Sequence, residues 1–332
     1  MVSIRNNILT FIVVPLLLVG IGWQAHKWYQ NHYEAHDPRR VRQAGFRFIS
    51  PLLDVELPEG YSVRNEPIPF KYKIKNYVNQ QVKSGTVKEM SVYFRDLSDG
   101  PWFGINEKLK FDPASMMKVP IMIAWLKRAE KDPSVLQQSF VFDENRYQDV
   151  PQNIKPAKSL TSGAQYTVED LLRYMLNYSD NRATWLLYRN MDSNELNHVL
   201  DSMDVTSDPS DVSNATSVHG YSGFFRILYN ASFLNREMSE KALQLLSLQD
   251  FPQGIAAGVP KDIPVAAKYG EKVQGTEKQL HEFGIVYHPK GAYILGIMTR
   301  GYDFAVQTET LKTVSSMIYA EVGRNISTVP GK

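Results

Sequence analysis

Residues Phe111–Leu126 read FDPASMMKVPIMIAWL, and this stretch joins a reactive pair of side chains to an apolar helix. The run from Val119 onward predicts a buried helix. Ser115 and Lys118 stand three residues apart at the start of that helix, so their side chains lie on one face, one turn apart. Alone, the pair also fits an ordinary serine and lysine on a surface helix. The apolar residues around it leave few positions for a solvated face, and we therefore interpret the pair as part of a site.

The sequence before this stretch predicts a helix and then a hairpin. Apolar residues at helical spacing indicate a helix over Phe70–Val82. Met90–Arg95 and Trp102–Ile105 have the composition of strands, and the Asp99-Gly100 pair between them is a turn signal. Two strands alone do not form a stable sheet, so this hairpin needs partners from elsewhere in the chain.

The sequence after it predicts a run of helices and then three more strands. Thr167 and Asp170 have nearly the spacing of a capping box and start a helix that ends just before Ser179. Further helices are predicted over Arg182–Asn190, Asn194–Met203, Val218–Leu234, Ser239–Leu248 and Phe304–Val322, and strands over Val265–Lys268, His281–Tyr287 and Ala292–Thr299. We therefore predict a mixed α/β domain: an antiparallel sheet of about five strands from both chain ends, flanking helices, and an all-helical insert over about residues 131–255.

Two polar tripeptides follow the Ser115–Lys118 pair in the chain. Ser179–Asn181 (SDN) offers a hydroxyl that can pass a proton to a departing nitrogen, the Asp180 carboxylate that fixes the loop, and an amide that can hold a substrate carbonyl. This tripeptide alone also fits an ordinary turn. Lys268–Gly270 (KYG) is predicted to lie at the end of an apolar strand. Its lysine offers positive charge for a substrate carboxylate, and its glycine lets a ligand approach closely.

These side chains together predict covalent chemistry on a serine. A serine hydroxyl is a weak nucleophile near neutral pH and needs a base beside it. Lys118 can be that base only if part of it is neutral, and burial together with a second cation, Lys268, would lower its pKa. The backbone N–H groups of Ser115 and Glu271 are candidate donors for the oxyanion that forms at the attacked carbonyl. We therefore predict an acyl-enzyme on Ser115.

The composition excludes several other kinds of site. The chain has 332 residues and a net charge of +2, which gives no indication of nucleic acid as a partner. It has no cysteine, which excludes disulfides, a thiol nucleophile and cysteine metal ligands. Its histidines show no zinc-binding spacing. We predict no metal and no cofactor, and the sequence does not define the oligomeric state.

The first residues have the pattern of a membrane anchor. Ile8–Trp23 is an uncharged apolar run, and Gln24 and Ala25 extend it towards the roughly 20 residues that span a bilayer. A cleaved signal peptide is the alternative, but Trp23 stands where a cleavage site needs a small residue. We predict a cytoplasmic tip over residues 1–7, a transmembrane signal anchor over 8–25, a partly packed stalk over 26–68 and an extracytoplasmic catalytic domain over 69–328.

The three motifs in this order, S-x-x-K, S-D-N and K-x-G, resemble those of the class A β-lactamases and penicillin-binding serine enzymes. The resemblance covers about Pro69–Val322, including the segment before the SDN motif and the last two strands. It implies an α/β domain and a helical domain with the site in the cleft between them. It also implies Ser115 as nucleophile, Lys118 as its base partner, Ser179 as proton relay, Asn181 as substrate holder and Lys268 as electrostatic anchor.

The chain departs from the class A pattern at two places. Those β-lactamases have a loop glutamate that activates the deacylating water, but the matching stretch here, about Asp204–Ser217, is short and has no glutamate. Asp208 or Asp211 could substitute, and a plain turn-rich loop is the simpler interpretation. Tyr269 stands where the family has a small Thr or Ser beside the substrate carboxylate, so we expect substrate recognition to differ.

We expect a membrane-anchored, extracytoplasmic serine hydrolase of the bacterial envelope that forms an acyl-enzyme with β-lactams or peptidoglycan peptides. A D,D-peptidase or penicillin-binding protein with slow deacylation is the main alternative, because the loop glutamate is missing. A catalytically idle peptidoglycan-binding domain and a cytosolic amidase of related fold are two others. The complete set of Ser115, Lys118, Ser179 and Lys268 is evidence against an idle domain, and the N-terminal apolar run is evidence against a cytosolic enzyme.

Overall fold

A five-stranded antiparallel sheet lies at the centre of the computed structural model, which describes residues 18–27, 39–56, 68–98, 100–203 and 215–325. From one edge to the other, its strands are β4 (Trp102–Ile105), β3 (Glu89–Asp96), β9 (Tyr293–Gly301), β8 (Glu277–Val286) and β7 (Val265–Gln274). Because β3 pairs with β9, strands from both ends of the domain share one sheet, as predicted. β7 forms an edge, so half of its backbone groups point away from the sheet.

Two helices cover one face of this sheet. They are α2 (Lys71–Lys83) and α9 (Phe304–Asn325), from opposite ends of the domain. Their apolar side chains, among them Ile74, Val78 and Leu311, are buried with sheet residues in one hydrophobic cluster. This face therefore brings the two ends of the domain together.

The opposite face packs against the helical insert through aromatic side chains. Phe225 stacks on Phe283 of β8 with ring centroids 5.6 Å apart, and Tyr221 meets the same ring edge-on at 5.2 Å. Phe225 and Tyr221 lie in α7 (Val218–Asn230), which joins the insert and the sheet in a single cluster. The other helices of the insert are α3 (Lys118–Lys131), α4 (Val168–Asn177), α5 (Asn181–Arg189), α6 (Ser193–Asp201) and α8 (Arg236–Leu246).

The predicted fold class is confirmed, with one addition to the insert. A short antiparallel pair, β5 (Ser139–Val141) with β6 (Gln165–Thr167), lies inside it. Strands this short show too little alternation to be recognised in a sequence. Thr167 starts α4 as predicted: its side chain accepts from the Asp170 N–H, and the Asp170 carboxylate accepts from the Thr167 N–H.

The chain divides into two units. The first comprises residues 1–43 and 52–66, and its described part consists of helix α1 (residues 18–27) and the hairpin of β1 (Arg39–Arg42) with β2 (Leu52–Glu56). The side chains of α1 are exposed. In the ranges that the structure describes, no helix is both long enough and apolar enough to cross a membrane. Most of the predicted anchor, residues 8–17, lies outside those ranges.

The second unit comprises residues 44–51 and 67–332, so it includes part of the predicted stalk. Phe48 and Ile49 are buried in its core. The backbone N–H groups of Arg47 and Phe48 donate to the Glu240 carboxylate at 3.0 and 3.1 Å. An apolar pair and a carboxylate therefore hold this segment against α8.

Candidate active site

Ser115 lies in a short 3-10 turn immediately before α3. The preceding residue, Ala114, has a φ of 47°, a left-handed conformation that is costly for a residue with a side chain. The Asp112 carboxylate accepts from the Ala114 N–H at 2.8 Å, and the Tyr221 hydroxyl donates to the Met116 carbonyl at 2.7 Å. These contacts hold the half-buried Ser115 from both sides at the start of the helix.

Lys118 begins α3 and is almost fully buried. Its Nζ donates to the Ser179 carbonyl at 2.7 Å, to the Ser179 Oγ at 3.1 Å and to the Asn181 Oδ1 at 2.8 Å. A lysine ammonium has three N–H donors, so these bonds use all of them. The S-x-x-K and S-D-N motifs therefore meet through one buried amine.

Ser179 lies between two lysines. It follows α4 just beyond its end, as predicted, and has a left-handed φ of 55°. Its Oγ is 3.1 Å from the Lys118 Nζ and 3.0 Å from the Lys268 Nζ. One hydroxyl thus connects the amines of two motifs. A hydroxyl can donate and accept at once, so it can pass a proton between neighbours.

Lys268 lies inside a strand, and the prediction that the KYG motif ends a strand is wrong. β7 continues to Gln274 because the residues that follow the motif pair in register with β8. The Lys268 side chain is fully buried, and its Nζ also donates to the Tyr269 carbonyl at 3.0 Å. Burial lowers the pKa of Lys268 well below its usual value, and the nearby Lys118 charge lowers it further.

The Tyr269 side chain is buried rather than presented to a substrate, which corrects its predicted role. Its ring stacks on Phe251 with centroids 4.4 Å apart, and the Lys268 Nζ lies 4.0 Å from the ring centroid. Burial raises the pKa of the Tyr269 phenol to about 12, and a hydrogen bond with Ser179 opposes that rise. The Tyr269 phenol therefore packs beside Lys268 and Ser179 in the protein interior.

Gly270 permits a close approach within the chain itself, and its predicted role of making room for a ligand stays a prediction. A Cβ at this position would lie 2.4 Å from the Pro113 carbonyl oxygen and 3.1 Å from the Met116 nitrogen. Both atoms belong to the backbone around Ser115. The edge strand β7 and the Ser115 turn therefore pack directly against each other. The predicted oxyanion donors, the N–H groups of Ser115 and Glu271, lie on these two neighbouring segments.

We expect Gly270→Ala to slow acylation of Ser115 about a hundredfold, because misplacement by about 1 Å has effects of that size. The new methyl group can be accommodated only if the Ser115 turn moves, since its shortest contact is with backbone. The rate of adduct formation measures the effect. Gly301→Ala in β9 is the matched control, because its methyl group meets neighbours at 3.6 Å or more. Equal rates for the two variants would contradict the proposed fit of β7 against the turn.

Asp180 is buried and joins two segments beside the site. Its carboxylate accepts from the Ser159 hydroxyl at 2.9 Å, from the Leu160 N–H at 3.0 Å and from the Arg182 N–H at 3.0 Å. It thereby caps α5 and ties that helix to the segment before α4. Asn181 accepts from Lys118 through its Oδ1, so its side-chain nitrogen remains to donate to a substrate carbonyl.

Residues 69–322 match the model of the beta-lactamase enzyme family. The chain belongs to this family. It is therefore a serine hydrolase that acts on amide or β-lactam bonds. No curated protein sequence matches the chain.

Solved structures of this fold are similar over most of the chain. The β-lactamase of Sphaerobacter thermophilus is 21% identical with a TM-score of 0.65, covering 78% of this chain and 98% of that one. A β-lactamase of Xanthomonas campestris is 19% identical with a TM-score of 0.66, covering 76% and 98%. A point mutant of PBP-A, solved as an acyl-enzyme complex with penicillin G, is 21% identical with a TM-score of 0.64, covering 76% and 97%. At these identities the likeness establishes the fold.

Sequence motifs did not reveal one segment at the site of this β-lactamase-family enzyme. The Gln152 side chain donates to the Ser179 carbonyl at 3.1 Å, and the Ile154 N–H donates to the Glu271 Oε1 at 2.8 Å. The segment between β5 and β6 therefore touches both the SDN turn and the edge strand. Ile154 and Glu271 are far apart in the sequence, and no local pattern signals such a contact.

The predicted deacylation loop of this family member is described only at its end. Of the Asp204–Ser217 stretch, residues 204–214, with Asp208 and Asp211, lie outside the described residues. Glu195, the nearest glutamate upstream, is engaged by the Arg128 guanidinium at 3.0 and 2.6 Å. In the part of the chain that the structure describes, no group of three histidine or acidic side chains could hold a metal ion.

We expect the acylation rate of the enzyme to rise with pH through about 7. Burial lowers the pKa of Lys118 to about 7, and the charges of Asp180 and Glu271 oppose that shift. The base must be neutral to accept the Ser115 proton, so the rate is low below this pKa and reaches a plateau above it. Initial acylation rates between about pH 5 and 9 measure the profile.

A second group titrates in the same interval and needs a control. Burial raises the pKa of Glu282 to about 7, and its carboxylate accepts from the Ile255 N–H and the Gln249 side chain. Glu282→Gln should leave the midpoint of the rate profile in place if Lys118 is the base. A profile that becomes flat in this variant would assign the titration to Glu282 instead.

Proposed function

We propose that this enzyme forms a covalent acyl-enzyme on Ser115 with β-lactams or peptidoglycan peptides in the bacterial envelope. The cluster of Lys118, Ser179 and Lys268 carries the proposal. One hydroxyl there lies 3.1 and 3.0 Å from two buried amines, a fixed arrangement that suits proton transfer. Burial is costly for charged groups. A pair of lysines with only a structural role would be expected to remain exposed.

The proposed acylation step uses Ser115, Lys118 and Ser179. The Ser115 Oγ forms a bond to the carbonyl carbon while the neutral Lys118 amine takes the serine proton. The N–H groups of Ser115 and Glu271 hold the charge that develops on the carbonyl oxygen. Ser179 then gives its proton to the departing nitrogen and regains one from Lys118. The carbon–nitrogen bond breaks, and the acyl group remains as an ester on Ser115.

The second candidate is a D,D-peptidase or penicillin-binding protein that releases its acyl group slowly. The absence of glutamate between Asp204 and Ser217 favours it, since this family's water-activating group is expected in that stretch. A penicillin G acyl-enzyme of PBP-A, a protein of similar fold, supports capture of β-lactams by such a site. Capture and slow release therefore suit this chain better than efficient hydrolysis.

We also propose that residues 8–25 anchor the enzyme in the membrane with its catalytic domain outside the cytoplasm. The uncharged apolar run at Ile8–Trp23 supports the anchor, and the location of peptidoglycan supports the orientation. Fractionation of cells that express the full chain, compared with a chain lacking residues 1–25, tests it. Recovery of the full chain in the soluble fraction would contradict the anchor.

The test of the acyl-enzyme is a time course of intact mass for the full chain mixed with a penicillin. Trypsin releases Phe111–Lys118 as one peptide, in which Ser115 is the only hydroxyl, so digestion locates the adduct. A persistent adduct on this peptide indicates a penicillin-binding enzyme with slow deacylation. Consumption of the drug with a brief adduct indicates a β-lactamase. Neither adduct nor consumption would contradict the proposal and favour an idle binding domain.

A further inference from the structure

A short stretch without helix or strand joins two walls of the site. The Gln152 side chain donates to the Ser179 carbonyl at 3.1 Å, and two residues later the Ile154 N–H donates to the Glu271 Oε1 at 2.8 Å. Ser179 follows α4 of the helical insert, and Glu271 lies on β7 of the sheet. We call residues 152–154 the strap, because they connect these two segments.

The strap lies between the same two segments as the nucleophile turn. On one side, Lys118 donates to the Ser179 carbonyl at 2.7 Å, the same oxygen that the strap reaches. On the other side, β7 packs on the turn at Gly270, the residue before Glu271. In the proposed mechanism, the carbonyl that Ser115 attacks must also reach the Glu271 N–H. A substrate therefore has to enter beside the contact between the strap and Glu271.

The strap also borders the open space beside the SDN turn. A cavity of about 200 Å³ lies there, and its lining includes Gln152 and Asn181 but neither Ser115 nor Lys268. The Ile154 side chain is partly buried and packs against the hydrophobic cluster of the sheet. A ligand that fills this cavity therefore contacts the strap and Asn181 but not the nucleophile.

Few interactions hold the strap in place. Among the described residues, 151–156 make no hydrogen bond other than those of Gln152 and Ile154. Every second residue of this stretch is exposed. Segments with few buried contacts and few hydrogen bonds open locally at a small cost in free energy. The strap can therefore open without unfolding the domain.

We propose that the strap closes the Ser115 site of the free enzyme, and that a substrate acylates Ser115 only after Ile154 has left Glu271. The contact between Ile154 and Glu271 is then autoinhibitory. The inference rests on the proposed function, because it adds a regulation of the same acyl-enzyme site. A ligand that binds along β7 at Glu271 competes with the strap and favours its open state.

The first test measures strap opening by thiol reactivity and does not depend on acylation. The chain has no cysteine, so one introduced thiol can be followed alone. In the full chain, Ile154→Cys places the thiol on the partly buried strap, and Val150→Cys, at an exposed position of the same segment, is the matched control. We expect an aromatic disulfide reagent to modify Ile154→Cys at least about tenfold more slowly than Val150→Cys, the factor that one hydrogen bond to a charged group produces.

Loss of either strap contact should expose this thiol. Adding Glu271→Ala removes the acceptor of the Ile154 N–H and should speed modification of Ile154→Cys about tenfold. Adding Gln152→Ala removes a neutral donor and should speed it about threefold or more. Adding Gln148→Ala, at an exposed glutamine before the strap, should leave the rate unchanged.

The second test measures acylation by penicillin with Ile154 in place. Gln152→Ala changes no charge and should be acylated about threefold or more faster than Gln148→Ala, because the rate scales with the fraction of enzyme whose strap is open. If Ile154→Cys fails to fold, these acylation rates decide.

Three results would overturn the inference: Ile154→Cys reacts as fast as Val150→Cys, its rate is unchanged by Glu271→Ala, or Gln152→Ala and Gln148→Ala are acylated at equal rates. Absence of any Ser115 adduct would instead contradict the proposed function, and the thiol rates would still decide whether the strap closes the site.

Discussion

Ser115→Ala should abolish covalent labelling by penicillin, because it removes the hydroxyl that the proposed mechanism uses as its nucleophile. The turn is pinned by Asp112 and Tyr221 and by the close fit of Gly270, so the substitution removes one oxygen without moving the backbone. Intact mass after prolonged incubation should show only the unmodified chain. In the wild type, the adduct should be found on the peptide Phe111–Lys118.

The matched control for this prediction is Ser232→Ala, an exposed serine after α7. It should be labelled at the wild-type rate. An adduct on Ser115→Ala with the same mass increase would refute the assignment of the nucleophile. In that case the labelled peptide would identify the true one, with Ser179 as the first residue to inspect.

Lys118→Met should slow acylation about 10²- to 10⁴-fold, the range that a positioned general base contributes. Methionine fills much of the space of the lysine stem but cannot accept the Ser115 proton. It also leaves the Ser179 carbonyl and the Asn181 Oδ1 without the donor that they share. The acylation rate from the mass time course measures the effect, and the rise of the rate through about pH 7 should disappear with the amine.

Lys131→Met is the control for loss of a lysine from the same helix, since this residue is exposed at the other end of α3. Its rate and pH profile should match those of the wild type. If Lys118→Met keeps both the rate and the rise with pH, then Lys118 is not the base. Thermal unfolding of both variants separates a loss of chemistry from a loss of the folded state.

Much of the fold could be predicted from local patterns. The helical spacing in Phe70–Val82 and the pairing of Thr167 with Asp170 depend on residues close in sequence, and the structure has α2 and α4 at those places. The prediction that strands from both ends of the domain share one sheet is confirmed, since β3 lies beside β9. The short pair of β5 and β6 was missed, because three residues cannot show a strand's alternation.

The errors at the site have a different origin. The KYG motif was expected at a strand end because the apolar run stops at Lys268, whereas β7 continues through polar residues that pair with β8. Edge strands tolerate such residues, since one side of them lacks a neighbouring strand. Tyr269 is predicted to contact a substrate because it replaces the small Thr or Ser of the family. In the structure its ring stacks on Phe251 instead.

By itself, the sequence determined which reactive groups this protein has and the order in which the chain presents them: Ser115 and Lys118 on one helical turn, then Ser179, then Lys268. Those conclusions rest on spacing and residue type, which are local. The tertiary structure alone decided that both lysines are buried, that Gly270 seats β7 against the nucleophile turn, and that Glu271 meets Ile154. Burial, electrostatic environment and long-range contact depend on which distant segments pack together, and no local pattern carries that information.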